Sequence, residues 1–308
     1  MDLTYSRTHS KAGYGRCKSH HGEILQGAFA DADGQLRRGL VTLPTSEYGS
    51  QAFFLADARA GIVIHHPHDK AKAKEAARRA LVALGKAAYG GDLFIASNCP
   101  IGWGLGSSTA DVVATLRAVA DAYGTAFDPT ELARLAVLSE TASDSIMFDD
   151  SAVLFAQRDG FVLEAFDGLL PSFLLVSINT SPSGLAVDTL RQPLPCYSDE
   201  ELYAFVSLRK QLCTAIEEGC RARVAAVATA SARINNRYCP KPHLEEIIDI
   251  ALTHGGLGVQ VAHSGSLAGL LFDPDKRGVA LDASKAVNAL RRFNFSHLRL
   301  LMMCPEAL

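Results

Sequence analysis

No run in this 308-residue sequence approaches the roughly 20 consecutive apolar residues that a membrane-spanning helix requires, so no membrane partner is expected. Charge of one sign is also scarce. The 30 Lys and Arg nearly balance the 33 Asp and Glu, leaving a formal net charge of −3, which argues against a strongly basic nucleic-acid-binding face. The seven cysteines are scattered, odd in number and without a Cys-x-x-Cys pair, and read as reduced thiols. Residues Met1 to Lys18 are polar and lack the apolar core of a signal peptide, so a cytoplasmic location is expected. There is no internal repeat, low-complexity tract or long linker. The length is that of one large domain or of two lobes sharing an interface, and small molecules are the expected partners.

What the chain does have is Pro100-Ile-Gly-Trp-Gly-Leu-Gly-Ser-Ser108, in which three glycines and two serines run straight into an apolar-periodic segment. Residues without a Cβ let backbone N–H groups close around phosphate oxygens, and the unpaired N–H groups of a helix's first turn add partial positive charge. A serine hydroxyl at the end of such a loop reaches a magnesium ion. Val112, Leu116, Val119, Ala120 and Tyr123 form one stripe, with Asp111, Thr115, Arg117 and Asp121 largely off it. They predict an amphipathic helix of about four turns, stopped by Gly124. The loop lacks the lysine of a Walker motif and the glycine spacing of a dinucleotide fingerprint. Taken alone, it is also compatible with a plain structural turn.

Ahead of the loop, short strands are predicted around Leu40–Leu43, Gln51–Leu55 and Gly61–His65. A helix over Lys70–Tyr89, closed by Gly90-Gly91, and a strand over Asp92–Ser97 follow. Asp128-Pro129 supplies an N-cap and first-turn proline for a helix to about Ser139. Beyond Gly160, strands are predicted at Phe161–Phe166 and Ser172–Ile178, and Ser198-x-x-Glu201 is a capping box that opens another helix. Further helices are expected over Arg221–Asn235 and His243–Thr253. The order then becomes strand (Gly258–Ala262), strand (Leu267–Phe272), helix (Leu281–Phe293), strand (Leu298–Met303). Such interleaving predicts an α+β fold with an antiparallel sheet backed by helices, as in split βαβ layers. The simplest organisation is two lobes, residues 1–159 and 160–308, around one cleft. His65-His66-Pro67-His68-Asp69 reads as a strand-to-helix loop rather than a metal site, and Lys285, Arg291 and Arg292 as the solvated face of the last helix.

Three separated segments and one acidic segment, in order, resemble the GHMP small-molecule kinases. The loop string Pro100 to Ser108 resembles the family's ATP-binding motif. Gly22-Glu23-Ile24-Leu25-Gln26-Gly27 resembles the first motif, in the form typical of L-threonine kinases associated with cobalamin synthesis. Ala262-His263-Ser264-Gly265-Ser266-Leu267-Ala268-Gly269 resembles the third motif in the same form. Between them, Glu140-Thr-Ala-Ser-Asp144-Ser145 resembles that subfamily's acidic segment, with Asp144 at the catalytic position. The resemblance spans most of the chain.

This resemblance implies a two-lobed GHMP kinase fold with a ferredoxin-like C-terminal lobe, and ATP and Mg2+ as cofactors. The implied reaction is phosphorylation of the side-chain hydroxyl of a small amino acid, first of all L-threonine to O-phospho-L-threonine. The rivals are another hydroxyl acceptor and a non-catalytic ligand sensor. Asp144 is the implied catalytic residue, orienting or deprotonating the hydroxyl, although an aspartate there also reads as a turn cap. ATP contacts are implied for Pro100, Gly102, Trp103, Gly104, Leu105, Gly106, Ser107 and Ser108, and from the second lobe for Ser264, Gly265 and Ser266. Trp103 either stacks near the nucleotide or packs beneath the loop. His21, Gly22, Glu23, Ser145 and His263 are expected near the acceptor, with Glu23 either pairing with its ammonium or making a structural hydrogen bond. Ser108 and Glu140 are the expected metal ligands, and Glu140 sharing a helical face with Asp144 depends on the helix continuing. The chain departs from the family where many members carry a lysine five residues before the Gly-Glu pair. Cys17 stands there, followed by Lys18, and Lys18-Ser-His-His21 replaces a Pro-Ala-Ser-Cys-like run. The sequence does not set the oligomeric state.

Overall fold

The computed structural model describes residues 11–58, 61–65, 70–181, 195–295 and 297–304. Two long strands, β1 (Ala12–Ala30) and β2 (Leu36–Asp57), form an antiparallel ribbon through the middle of the molecule. This differs from the short strands expected in the N-terminal half. β1 is buried on both faces from Ser19 to Phe29, so its sequence carries no polar–apolar alternation to announce a strand.

Next come β3 (Gly61–His65), α1 (Ala71–Ala83) and β4 (Gly90–Ser97), with β3 parallel to β4. α1 ends earlier than predicted, because Gly85 takes a left-handed φ of 69°, and Gly90 and Gly91 belong to β4 instead of capping the helix. The His66–Asp69 part of the histidine-rich loop lies outside the described residues. α2 (Ser107–Ala122) follows the glycine-rich loop, and α3 (Pro129–Glu140) starts at Asp128, whose side chain accepts the Glu131 N–H.

α2 is not a surface amphipathic helix. Asp111 and Thr115 are buried along with Val112, Val113, Leu116 and Val119, and the Asp111 carboxylate is satisfied by Lys70 and Ser50, each at 2.6 Å. A helix covered on nearly every side is the centre of a core, and its polar residues then need dedicated partners.

The second half contributes β5 (Val153–Ala156), β6 (Phe161–Ala165), β7 (Phe173–Asn179), α4 (Asp199–Glu217), α5 (Arg221–Asn236), α6 (Leu244–Thr253), β8 (Gly258–Val261), β9 (Leu267–Phe272), α7 (Val279–Leu290) and β10 (Leu298–Met303). Ser198 and Glu201 make both hydrogen bonds of the capping box that opens α4. Among the described residues one ten-stranded sheet runs in the order β10-β7-β9-β8-β1-β2-β4-β3, with β5 pairing β2 and β6 pairing β5. β1 therefore joins the two halves, and residues 159 and 160 fall in the turn of the β5–β6 hairpin. The α+β class and the antiparallel, helix-backed second half agree with the sequence reading.

Three apolar clusters fix the parts that matter for function. One packs α1, α2 and α3 on the sheet through Phe54, Leu93, Leu116 and Phe155. A second gathers Phe29, Phe173, Phe205 and Leu212 under α4 and α5. The third holds α6 and α7 against β8 and β9 through Ile247, Val259, Phe272 and Leu290. At about 1.5–3 kcal/mol for each large apolar side chain removed from water, these clusters hold three segments rigidly together at the centre. Those segments are the middle of β1, the N-terminus of α2 and the β8–β9 turn. No helix among the described residues is long and apolar enough to cross a membrane.

Candidate active site

The middle of β1 carries the first decisive irregularity. His20 faces Pro44 of β2 and Glu23 faces Thr42, so three steps on β1 oppose two on its partner. The extra residue is a bulge, and Gly22 accommodates it with φ at 65°, where a Cβ would collide with the Gln260 side chain. A bulge reverses strand parity. His20 and Glu23, which an even alternation would place on opposite faces, reach the same side, and His21 is turned to the other.

The second segment is the loop that ends in α2. Gly106, the N-cap, has a left-handed φ of 68°, and no side chain caps the helix, so its first N–H groups stay available to an anion. A Cβ on Gly106 would strike the His20 ring and the Asp144 carboxylate, which shows how closely the loop wraps these two groups. The Leu105 carbonyl accepts hydrogen bonds from the His20 backbone N–H and the Ser19 hydroxyl. The β8–β9 turn closes from the other side. The Ser266 and Leu267 N–H groups donate to the Trp103 carbonyl, and Gly104 and Gly265 lie so close that a Cβ on either would clash with the opposing loop.

The acidic groups come from the segment after α3. That helix stops at Glu140 because Thr141 adopts φ 74°, so Asp144 sits in a loop and not on a continued helical face. The loop is tied down where the Ser143 N–H donates to the Gln157 carbonyl at 2.8 Å. Thr109, in the first turn of α2, places its hydroxyl 2.7 Å from Glu140 and 3.2 Å from Asp144. Ser108 donates to the other Glu140 oxygen at 2.6 Å.

Together these segments line a cavity of about 280 Å³. Of the sequence-predicted site residues, Gly102, Gly104, Leu105, Gly106, Ser107, Ser108, Glu140, Asp144, His263, Ser264 and Gly265 line it. The others do not. Trp103 packs against the apolar cluster beneath the loop, edge-on to His297 with ring centroids 5.0 Å apart, which is the second of the two placements open to it from the sequence. Pro100 and Ser266 lie beside the lining residues. The Ser145 hydroxyl meets Thr42 at 2.7 Å and borders a separate small cavity with Lys18, Phe148 and Leu170.

His21 lies away from this cavity. Its ring is fully buried on the far face, with Nε2 2.7 Å from the Ser177 hydroxyl and Nδ1 at the Gln260 amide. Burial and the neighbouring His20 push it down to about 3, so it stays neutral. Glu23 makes structural contacts: it accepts the His263 backbone N–H and lies 2.8 Å from His263 Nδ1.

Sequence reasoning missed four residues. His20 lies with Nε2 3.1 Å from Asp144 and Nδ1 3.5 Å from Glu23, and is fully buried. Burial opposes its charge, but the carboxylates of Asp144 and Glu23 outweigh that and raise it to about 9. Thr109 bridges Glu140 and Asp144. Lys72, on α1, lies 3.8 Å from Glu140, and Gln157 completes the wall. The signal available for the His20–Glu23 pairing is a glycine inside a strand, which marks a bulge and makes the parity of Glu23 relative to His20 unsafe.

The electrostatics divide the two cavity carboxylates. Burial would raise Asp144, yet His20, His263 and the Thr109 hydroxyl hold it well below the usual carboxylate range. Glu140 goes the other way: burial prevails over the Ser108 and Thr109 hydrogen bonds and raises it to about 7. A buried carboxylate beside a hydroxyl, incompletely neutralised and open to a phosphate-sized cavity, is a donor set of hard oxygens that fits a magnesium ion.

Comparison with known proteins agrees with this geometry. Residues 71–157 match the GHMP kinases N terminal domain model and residues 212–293 the GHMP kinases C terminal model, and the two together span more than half of the chain. The L-threonine kinase of Salmonella typhimurium is 31% identical over 190 residues, covering 60% of this chain and 61% of that enzyme. The 4-diphosphocytidyl-2-C-methyl-D-erythritol kinase of Sinorhizobium medicae is 27% identical over 209 residues, covering 67% and 64%. The chain thus matches less than two thirds of the length of these curated relatives. The homoserine kinase structure from Cytophaga hutchinsonii superimposes with a TM-score of 0.68 at 15% identity, over 97% of this chain and 96% of that one, and shows the same fold. With matched domain models in both halves, and with its glycine-rich loops and buried acidic pair converging on one cavity, the chain belongs to the GHMP kinases.

Proposed function

We propose that this chain is an ATP- and Mg2+-dependent kinase that transfers a phosphoryl group to the side-chain hydroxyl of a small amino acid, with L-threonine as the first choice. One observation carries the reading: a buried, ionised carboxylate, Asp144, faces the same cavity as the uncapped N-terminus of α2 and the glycines of both loops. The N–H groups of Gly106 to Thr109 and the Ser264-Gly265 turn bind the phosphates and stabilise the charge that spreads over the transferred group. Ser108 and Glu140 would hold Mg2+, which supplies charge neutralisation at the phosphate oxygens.

Asp144 accepts a hydrogen bond from the acceptor hydroxyl and aims its oxygen in line with the phosphoryl group. A carboxylate held this far below its ordinary range is a weak base. It suits a loose transition state, in which the nucleophile needs orientation more than early deprotonation. The hydroxyl gives up its proton as the new P–O bond forms, and the products are the phosphate ester, ADP and that proton.

The acceptor class rests on the L-threonine kinase relative and on the Gly22–Gly27 and Ala262–Gly269 strings. A second reading, another small hydroxyl acceptor, is favoured by the Sinorhizobium relative at comparable identity and by the altered Lys18–His21 run. The test is ADP release and product mass with ATP, Mg2+ and a panel of L-threonine, D-threonine, L-serine, L-homoserine and mevalonate. Turnover that depends on L-threonine is expected. Turnover confined to another acceptor overturns the choice of threonine, and ATP binding with no turnover across the panel overturns the kinase reading in favour of a ligand sensor.

A further inference from the structure

Three buried carboxylates crowd the centre of the molecule. The side chains of Glu23, Glu140 and Asp144 are 0%, 1% and 9% exposed. Like charges this close in a dry site cannot all ionise without cations among them. Thr109 touches both Glu140 and Asp144, so the two share one hydroxyl and one wall. What differs is the neighbour. Among the described residues the cation beside Glu140 is Lys72, 3.8 Å away on a half-exposed side chain. Asp144 has the His20 ring at 3.1 Å, itself anchored by Glu23 on its other nitrogen.

We infer that His20 is the positioning residue of this site: clamped between Glu23 and Asp144 by the Gly22 bulge, it keeps Asp144 a carboxylate and aims it at the acceptor hydroxyl. The geometry supports this from three sides. The ring is flanked on both nitrogens, with Nε2 3.1 Å from Asp144 and Nδ1 3.4 Å from the Gly22 carbonyl and 3.5 Å from Glu23, and the Gly106 backbone closes over its edge. His263, from the β8–β9 turn, has Nδ1 2.8 Å from the same Glu23 oxygen that His20 faces, donates its backbone N–H to the other oxygen and stands 4.0 Å from Asp144, so it reinforces the same arrangement. The charged groups around His20 are then Glu23 from β1, Asp144 from the loop after α3, His263 from the turn and, beyond Thr109, Glu140 with Lys72. Pairing of opposite charges within such a network displaces the two members' protonation in opposite directions, which is how a site assigns separate tasks to chemically similar groups.

The inference rests on the kinase reading for its kinetic test, so a second readout is independent of turnover. In 13C-histidine NMR of the wild-type protein, the His20 imidazole is expected to remain protonated at pH 7.5, and Asp144→Asn is expected to lower its titration midpoint by at least about one unit, a tenfold change in proton affinity. In kinetics, His20→Gln is expected to lower kcat about 10- to 100-fold with KM for ATP changed less than about threefold. Its residual activity is expected to recover as pH rises, because removing the cation leaves burial to push Asp144 upward. Added to Asp144→Asn, His20→Gln is expected to slow turnover no further, since it acts through that carboxylate.

A neutral His20 at pH 7.5, or a His20→Gln enzyme within twofold of wild type from pH 6 to 9, overturns the inference and leaves the kinase reading standing. A protonated His20 coupled to Asp144 in a protein that phosphorylates nothing supports the clamp and overturns only the proposed function.

Discussion

The two faces of β1 at its bulge carry adjacent histidines with opposite fates. On one face His20 meets two carboxylates and is raised to about 9; on the other His21 meets a hydroxyl and an amide and is lowered to about 3. Burial disfavours charge on both rings equally in kind. The difference is therefore made by partners alone: ordinary alternation puts the two rings on opposite faces, and the extra residue at Gly22 brings Glu23 round to the face of His20. Chemistry at this site is set by strand parity, while the neighbouring residue serves only packing.

The comparison breaks most sharply at the charged face. Asp144→Asn removes the carboxylate while keeping its shape, and a fall in kcat of about 10²- to 10⁴-fold is expected, with KM for ATP nearly unchanged. Steady-state kinetics on the accepted hydroxyl substrate read this directly, and near-normal turnover would remove Asp144 from the mechanism.

Gly22→Ala attacks the device that separates the faces. Its left-handed φ and the collision with Gln260 are expected to cost about 1–3 kcal/mol, seen as a lowered midpoint in urea unfolding. If the variant unfolds like wild type and keeps full activity, the bulge does not set the parity of His20 and Glu23.

Stability against pH sharpens the contrast, because the two histidines act with opposite sign. His20 has a folded value above the ordinary 6.5, so its contribution is full below 6.5 and is lost as pH rises toward about 9. His21 has a folded value below 6.5, so its contribution is present above 6.5 and is lost as pH falls toward about 3. Unfolding free energies measured from pH 4 to 10 should therefore show a flatter alkaline limb in His20→Gln and a flatter acid limb in His21→Gln. Identical limbs in both variants would contradict the assignment.

The smallest effect is expected at Trp103. Its side chain packs under the loop, so Trp103→Phe should lower stability modestly, by about 1 kcal/mol, and change KM for ATP by less than about threefold. A large rise in KM for ATP would restore a direct contact with the nucleotide.

How much of this was legible in the sequence follows from how local each cause is. The glycine-rich loop, the Asp128 cap, the Ser198 capping box and strand β9 are written in residues adjacent along the chain, and the structure has them where the sequence puts them. Asp144, Glu140 and Ser108 are also found on one cavity. β1 is not legible over Ser19–Phe29, because a stretch buried on both faces has no alternation to read. The length of α1 was misread, because Gly85 rather than Gly90-Gly91 ends it. His20 stayed hidden because its orientation depends on pairing with a distant strand, and Lys72 because only tertiary packing brings α1 to the end of α3. Thr109 stands next to the predicted Ser108, but its bridging role needs the turn at Thr141 to bring Asp144 back.

The joining of Glu23 to His263 has a consequence for the order in which the protein is made. These residues are 240 positions apart, yet their contact closes the site. At about 5–20 residues per second, a ribosome takes roughly 10 to 50 s to deliver the second after the first. Only in the later part of that interval, once Asp144 has been added, does the nascent chain carry the phosphate loop and the acidic centre, still without the β8–β9 turn that closes on them. A product terminated before the β8–β9 turn therefore lacks both the His263 contact and the Ser264-Gly265 wall of the cavity.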